Sequence, residues 1–188
     1  MSYDFWLFEP IPDEDQLTTA IRLMEESEQE LDARDPDPKA EVRKKALATA
    51  IIRQNPEIRP FSLQYDQIAE IQKITVEEAR KKFRYIELNG PEDGNGIQVV
   101  LHDDSATIAV PYWHLGAQAN AVFEEIWEYL RVIKDVAGYV AYDPQLDRIL
   151  DLERDLKETL NAYLRIVREI KESPSVGFKS RKPWWKFW

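Results

Sequence analysis

The sequence predicts an α+β protein with a mostly antiparallel sheet of about five strands, helices on one face of the sheet and a long C-terminal helix. Two observations lead to this prediction. Short apolar segments bounded by turn residues are typical of strands, and longer segments with apolar residues every three or four positions are typical of amphipathic helices. Their order is strand, helices, three strands, helix, strand, helix, which matches a ferredoxin-like or split β-α-β arrangement.

The first two elements are predicted from their apolar patterns. Residues 3–8, YDFWLF, form a short apolar run closed by Pro10 and Pro12, so we expect a buried strand that starts the sheet. Residues 13–31 then carry apolar residues at helical spacing, with acidic residues at the start, where they favour a helix N-terminus.

The next helices are predicted from their caps. Asp37 can cap a helix that has Pro38 in its first position, and this helix stops before the next proline. Thr75 followed three residues later by Glu78 is a capping-box pattern, which begins a short helix. Between these helices, residues 60–74 are expected to be irregular or to form a short strand.

Three strands and a helix follow. The strands are predicted at residues 84–88, 97–102 and 107–112, and the last two form a hairpin across a turn of small polar residues. Residues 117–136 form an amphipathic helix, and Gly138 suits its C-terminal end.

A short strand at residues 139–142 and a last helix at about residues 146–172 complete the domain. The apolar residues of this helix make a heptad-like stripe, and its predicted length is roughly 40 Å. Either the stripe packs back onto the sheet, which is the favoured reading, or part of the helix projects and pairs elsewhere. We therefore predict one domain at residues 1–172 and a separate tail at residues 173–188.

Composition and charge exclude several classes of protein. The chain has 188 residues, no cysteine and a net charge of −10, so disulfides, thiol catalysis and Cys-ligated zinc are excluded and nucleic acid is a poor partner. The N-terminus does not have the pattern of a signal peptide, and no run of about 18 apolar residues could span a bilayer. We therefore expect a cytoplasmic protein.

The tail has the most distinctive composition of the chain. It contains four basic residues and no acidic one, so residues 1–172 carry a net charge of −14. Tryptophan often anchors interfaces, and basic residues steer binding toward acidic surfaces. We predict docking on a protein partner first, docking on its own domain or another copy second, and membrane anchoring third. The residues predicted to bind are Lys182, Trp184, Trp185, Lys186, Phe187 and Trp188.

Several stretches resemble an uncharacterised family of bacterial proteins. They are SYDFWLF at residues 2–8, ELNGP at 87–91, VPYWH at 110–114, and AGY with YDPQ between residues 137 and 145. The resemblance extends to about Leu152 and excludes the last helix and the tail. Similar proteins occur near bacterial toxin and immunity genes, which implies an immunity or regulatory role but no catalytic residue.

Two clusters of ionisable residues offer an enzymatic alternative. His102, Asp103, Asp104 and His114 stand near strand ends, where they could bind a metal ion or act as an acid and a base in a hydrolase. The spacing fits no zinc or hydrolase motif, and aspartates are also common turn residues. A structural role is therefore favoured.

The second cluster is the repeated Tyr-Asp pair. If the first and last strands are antiparallel neighbours, Tyr3-Asp4 meets Tyr142-Asp143, and two close carboxyl groups could do acid-base chemistry. Turn aspartates that bind nearby backbone amides are the favoured alternative. Together with Trp113 and His114, these four residues make a candidate pocket. On balance we expect a binding protein rather than an enzyme, without cofactor or metal.

Overall fold

The chain is described by a computed structural model that covers residues 1–29, 37–91 and 94–172. The strands are β1 (Ser2–Phe8), β2 (Arg59–Pro60), β3 (Ile86–Asn89), β4 (Gln98–Leu101), β5 (Ser105–Pro111), β6 (Val140–Asp143) and β7 (Arg148–Ile149). The helices are α1 (Gln16–Gln29), α2 (Pro38–Gln54), α3 (Tyr65–Gln72), α4 (Val76–Lys82), α5 (Gly116–Ala137) and α6 (Leu156–Glu172). The elements follow the predicted α+β order, with β2, α3 and β7 in addition.

One sheet organises the molecule, with the strand order β2-β3-β4-β5-β1-β6-β7. Its ladders are antiparallel, so the predicted sheet type is confirmed, whereas the predicted number of about five strands is wrong. The two extra strands, β2 and β7, have two residues each and lie at the sheet edges. Such short strands are difficult to predict because two residues carry no periodicity.

The prediction that helices cover one face of the sheet is wrong. The main core lies on one face, where side chains of β1 such as Phe5 and Leu7 pack with helices α2, α5 and α6. The alternate side chains Trp6 and Phe8 point to the other face and pack against α1. β1 is apolar on both faces, and each apolar face requires its own cover.

Local sequence signals correctly marked three helix ends. Asp37 accepts a hydrogen bond from the Lys39 amide at the start of α2, and Thr75 and Glu78 form the predicted capping box of α4. Gly138 ends α5 in the left-handed conformation. The helix α3 lies within residues 60–74, for which we expected irregular chain or a short strand.

The last helix is shorter than predicted. Residues 148–149 form β7, and α6 begins only at Leu156, so its 17 residues span about 25 Å. Tyr163 and Val167 are fully buried in the main core. The stripe of α6 therefore packs against its own domain, as the favoured reading predicted.

Candidate functional site

The predicted metal or hydrolase cluster is divided between the two ends of β5. His102, Asp103 and Asp104 lie just before this strand, whereas His114 lies just after it. A strand of 7 residues separates these ends by about 20 Å. The four residues therefore do not form one site. Among residues 1–29, 37–91 and 94–172, no group of three or more His, Asp and Glu side chains could hold a metal ion.

Asp103 belongs to a charged cluster beneath the β4–β5 turn. Its Oδ1 lies 2.6 Å from the Nζ of Lys44, and its Oδ2 forms an ion pair with Arg84. Lys44 is fully buried and also donates to the Arg84 carbonyl at 2.9 Å. Burial raises the pKa of Asp103, but hydrogen bonds from Lys44 and Arg84 outweigh it and the pKa is lowered. Asp103 is thus a carboxylate that links α2 to the sheet through its ion pair with Lys44.

His102 lies near this cluster, at the rim of a small cleft. Its ring lies 5.7 Å from the ring of Tyr85, and Lys82, Arg84 and Asp103 complete the lining. The His102 amide also donates to the Ser105 carbonyl at 2.8 Å, which closes the turn of the β4–β5 hairpin. His102 and Asp103 therefore have contacts that explain their positions in the fold.

The two Tyr-Asp pairs meet, but not through their carboxyl groups. β1 and β6 are antiparallel neighbours, as predicted, with Trp6 opposite Tyr142. The Tyr3 hydroxyl donates to Oδ2 of Asp143 at 2.7 Å, and both residues are fully buried. Asp4 follows Tyr3 in the strand and so points to the other face of the sheet. The predicted pair of facing carboxyl groups, Asp4 and Asp143, is therefore wrong.

Asp143 acts as a turn aspartate in addition to binding Tyr3. Its Oδ1 accepts from the backbone amides of Gln145 at 2.8 Å and Leu146 at 3.1 Å. Burial raises the pKa of Asp143, while the hydrogen bonds from Tyr3 and the two amides oppose that shift. The favoured structural reading of this aspartate is thus confirmed.

Asp4 is the more unusual carboxyl group. Its Oδ1 is buried and has no hydrogen-bond partner among the residues that the structure describes. Burial raises the pKa of Asp4 to about 6, and the hydroxyl of Ser2 lowers it only in part. Tyr142 lies on the same face, and its hydroxyl donates at 2.7 Å to the exposed Asp147 rather than to Asp4.

His114 is a core histidine that anchors a loop. It is fully buried, and its Nε2 lies 2.6 Å from the Asn95 carbonyl. Because a carbonyl only accepts, Nε2 carries the proton. The Tyr163 hydroxyl accepts from the His114 amide at 3.0 Å and donates to the Pro111 carbonyl at 2.7 Å. These bonds join α6 to the end of β5 and fix the chain on both sides of Trp113.

Trp113 lies on the surface, with 60% of its area exposed. A Cβ atom added to Gly96 would lie 2.7 Å from Cζ2 of Trp113, so the ring lies directly over the backbone of Gly96. Leu115, two residues along, is 41% exposed. We call Trp113, Leu115 and the backbone of Gly96 the Trp113 surface. It is apolar, and the buried bonds of the neighbouring His114 hold it in place.

The candidate pocket is therefore distributed over three places. Tyr3, His114 and Asp143 lie in the main core, Asp4 and Tyr142 lie on the opposite face of the sheet, and Trp113 is exposed. Tyr3 and His114 are linked through Tyr163, whose ring centroid is 5.9 Å from that of Tyr3. The tail residues Lys182, Trp184, Trp185, Lys186, Phe187 and Trp188 lie outside the residues that the structure describes.

Sequence reasoning missed two important residues. Lys44 was not expected inside the protein because lysine is rarely fully buried. Glu125 accepts hydrogen bonds from Asn55 at 2.7 Å and Asn95 at 2.6 Å, and it also binds Tyr129. The sequence contains one weak indication for each residue. Lys44 lies at helical spacing between the apolar residues Ala40 and Leu47, and Glu125 precedes the apolar Ile126 in α5. Neither indication identifies a partner.

A comparison with models of protein families, with curated proteins and with solved structures found no match in any of the three. In the part of the chain that the structure covers, no helix has the length and apolar character needed to cross a membrane.

Proposed function

We propose that this protein is a non-enzymatic binding protein of the bacterial cytoplasm, and that its tail, residues 173–188, docks on a protein partner or on another copy. Trp184, Trp185, Phe187 and Trp188 would supply the buried area, and Lys182 and Lys186 would steer the tail toward an acidic surface. The resemblance to proteins near toxin and immunity genes favours an immunity or regulatory role.

The Trp113 surface is the observation that carries this proposal. An aromatic side chain that is 60% exposed loses little accessible area on folding, but it buries a large area when a docked segment such as the tail covers it. Because the ring lies over Gly96 and its neighbour His114 is fixed inside the core, the surface is rigid before binding. A rigid aromatic surface binds at a lower entropic cost than a mobile one.

The contacts of the ionisable residues also support binding over hydrolysis. Asp143 is bonded to Tyr3 and two backbone amides, and Asp103 is bonded to Lys44 and Arg84. His114 uses its ring to hold the Asn95 carbonyl. Each of these groups therefore has a structural role, and His102 and His114 lie at opposite ends of β5.

The experiment is affinity capture from a lysate of the source cells with the full chain as bait. The matched baits are the full chain with Trp184→Ser, Trp185→Ser and Trp188→Ser, and the full chain with Val42→Ser, which changes an exposed side chain on α2. We expect one protein, or a second copy of the chain, that the wild type and Val42→Ser retain and the tail variant loses. Equal capture by all three baits would contradict the proposal.

A parallel experiment distinguishes membrane anchoring from protein docking. The wild type and the tail variant are sedimented with vesicles that contain anionic lipid. We expect no difference between them, because residues 1–172 carry a net charge of −14 and are repelled by such a surface. Sedimentation of the wild type alone would assign the tail to the membrane instead.

We also propose a ferredoxin-like classification for the central sheet. The order β4-β5-β1-β6 supports it, as do the connection from β1 to β4, which contains helices α1 to α4 besides β2 and β3, and the connection from β5 to β6, which contains α5. β2 and β3 extend this unit at one edge, and β7 extends it at the other.

A further inference from the structure

The Trp113 surface faces solvent although His114, which lies between its two side chains in the sequence, is buried. Its members are 60% and 41% exposed, while His114 between them is completely covered. Exposed apolar residues that occur singly need no explanation, but Trp113 and Leu115 lie in one short segment, separated only by the buried His114.

The path of α6 brings the C-terminal part of this helix near the start of α5. The Trp127 indole donates to the Leu152 carbonyl at 2.9 Å, and the Tyr163 ring lies 4.9 Å from that of Phe123. As the chain advances from Leu152 to Tyr163, its contacts move back from Trp127 to Phe123, so α6 runs antiparallel to α5. The C-terminal end of α6 thus points toward the start of α5, where Leu115 is located.

The tail is long enough to return to the Trp113 surface. Tyr163 binds the backbone on both sides of Trp113, and α6 continues for nine residues beyond it, about 13 Å, to Glu172. Residues 173–188 follow directly. An extended chain advances about 3.3 Å per residue, so the aromatic cluster of the tail can reach Trp113 without any change in the domain.

The tail and the rest of the chain have opposite net charges, and the side chains of the tail can pack on an exposed tryptophan. The tail carries four basic residues and no acidic one, and the rest of the chain has a net charge of −14. A lysine or arginine can lie over the face of an exposed tryptophan, and two tryptophans can pack against each other. The tail also has a high effective concentration at the Trp113 surface, because both belong to the same chain.

We propose that the tail docks on the Trp113 surface of its own chain, and that a partner binds the tail in competition with this contact. This inference rests on the proposed function for the existence of a partner, but the docking itself does not require one. Docking in cis would cover the aromatic residues of the tail and the Trp113 surface until the partner displaces the tail.

The experiment uses a nitroxide on the tail, which is simple because the chain has no cysteine. The full chain with Ser180→Cys is spin-labelled, and broadening of backbone amide signals is measured by NMR. We expect strong broadening at residues 113–118 and none at Val42. Val42 lies beside Arg43, which binds the Asp103 carbonyl at the opposite end of β5. Uniform broadening, no broadening or broadening centred elsewhere would overturn the proposal.

Two controls separate the alternatives. The broadening should disappear when Trp113→Ser is added and should persist with Val42→Ser, since both changes remove an exposed apolar side chain. Spin-labelled chain without isotope is then mixed with isotope-labelled chain without nitroxide. Broadening in this mixture would show docking on a second copy and would overturn docking in cis.

Affinity for the captured partner distinguishes this inference from the proposed function. If the tail is docked half of the time, Trp113→Ser should tighten partner binding by about twofold, and by more if it is docked for longer. Unchanged affinity would overturn the competition. Tail-dependent capture of a partner without broadening would support the proposed function and reject docking of the tail on its own chain. Broadening without capture would support this docking and reject the proposed function.

Discussion

Tyr3 and Asp143 form a buried hydrogen bond that joins the first strand to the end of β6, with 2.7 Å between the hydroxyl and Oδ2. The two residues are 140 positions apart in the sequence. The bond fixes how β6 and the turn that follows it lie against β1. It also satisfies an acceptor that would otherwise be costly to bury.

We expect Tyr3→Phe to lower the free energy of unfolding by about 2 kcal/mol, because it removes a donor from a buried carboxyl group. The measurement is urea denaturation at neutral pH. Tyr142→Phe is the matched control, since its hydroxyl donates at 2.7 Å to the exposed Asp147, which water can solvate instead. Equal losses in the two variants would show that burial of the acceptor does not matter here.

Asp4 makes stability depend on pH. Its folded pKa is about 6 and its ordinary value is 3.8, so between these values the folded state binds more protons than the unfolded state. Stability therefore falls as pH rises from about 4 to about 6, by on the order of 2 kcal/mol. We expect Asp4→Asn to remove this loss and to exceed the wild type in stability at pH 7. Denaturation of both proteins from pH 4 to pH 7 tests this, and parallel curves would disprove it.

Lys44 anchors the charged cluster beneath the β4–β5 turn. We expect Lys44→Met to cost about 3 kcal/mol of unfolding free energy, because Asp103 would remain partly buried with one cation fewer. Lys45→Met, at the next and exposed position, should change stability by less than about 0.5 kcal/mol. Chemical denaturation measures both.

The double variant Lys44→Met with Asp103→Asn isolates the cause of that loss. It should recover part of the stability, because Asp103 is then no longer a charged group without Lys44. The recovery is only partial, because Glu41, 2.6 Å from the Nζ of Lys44, still loses its cation. A double variant as unstable as the sum of its two single changes would indicate that Lys44 acts through packing alone.

Gly96 supports the ring of Trp113. Gly96→Ala places a methyl group 2.7 Å from Cζ2 of Trp113 and 2.9 Å from Cγ of Pro111 at a φ of +68°, so both rings must move. Gly116→Ala is the matched control, because its φ is +55° and nothing lies within 4 Å of an added Cβ. Both should lose about 1 kcal/mol for the left-handed backbone. Only Gly96→Ala should also shift the indole NMR signal of Trp113, and an unshifted signal would contradict the close contact.

Local features of the fold could be predicted from the sequence because their causes lie within a few residues. Asp37 caps α2 by binding an amide two positions away, and Thr75 and Glu78 bind each other's backbone across three positions. Gly138 ends α5 because glycine has no Cβ to oppose a positive φ. α3 was missed because its eight residues carry no capping side chain at Gln64.

The sequence by itself thus determined the helix caps, the β4–β5 hairpin, the antiparallel sheet type and the acidic domain with a basic aromatic tail. Only the tertiary structure decided which side chains meet. Alternation along β1 sends Tyr3 to Asp143 and Asp4 to the opposite face, and a shift of one residue in register would exchange them. The burial of Lys44 and the exposure of Trp113 also depend on contacts between distant segments, which local patterns do not specify.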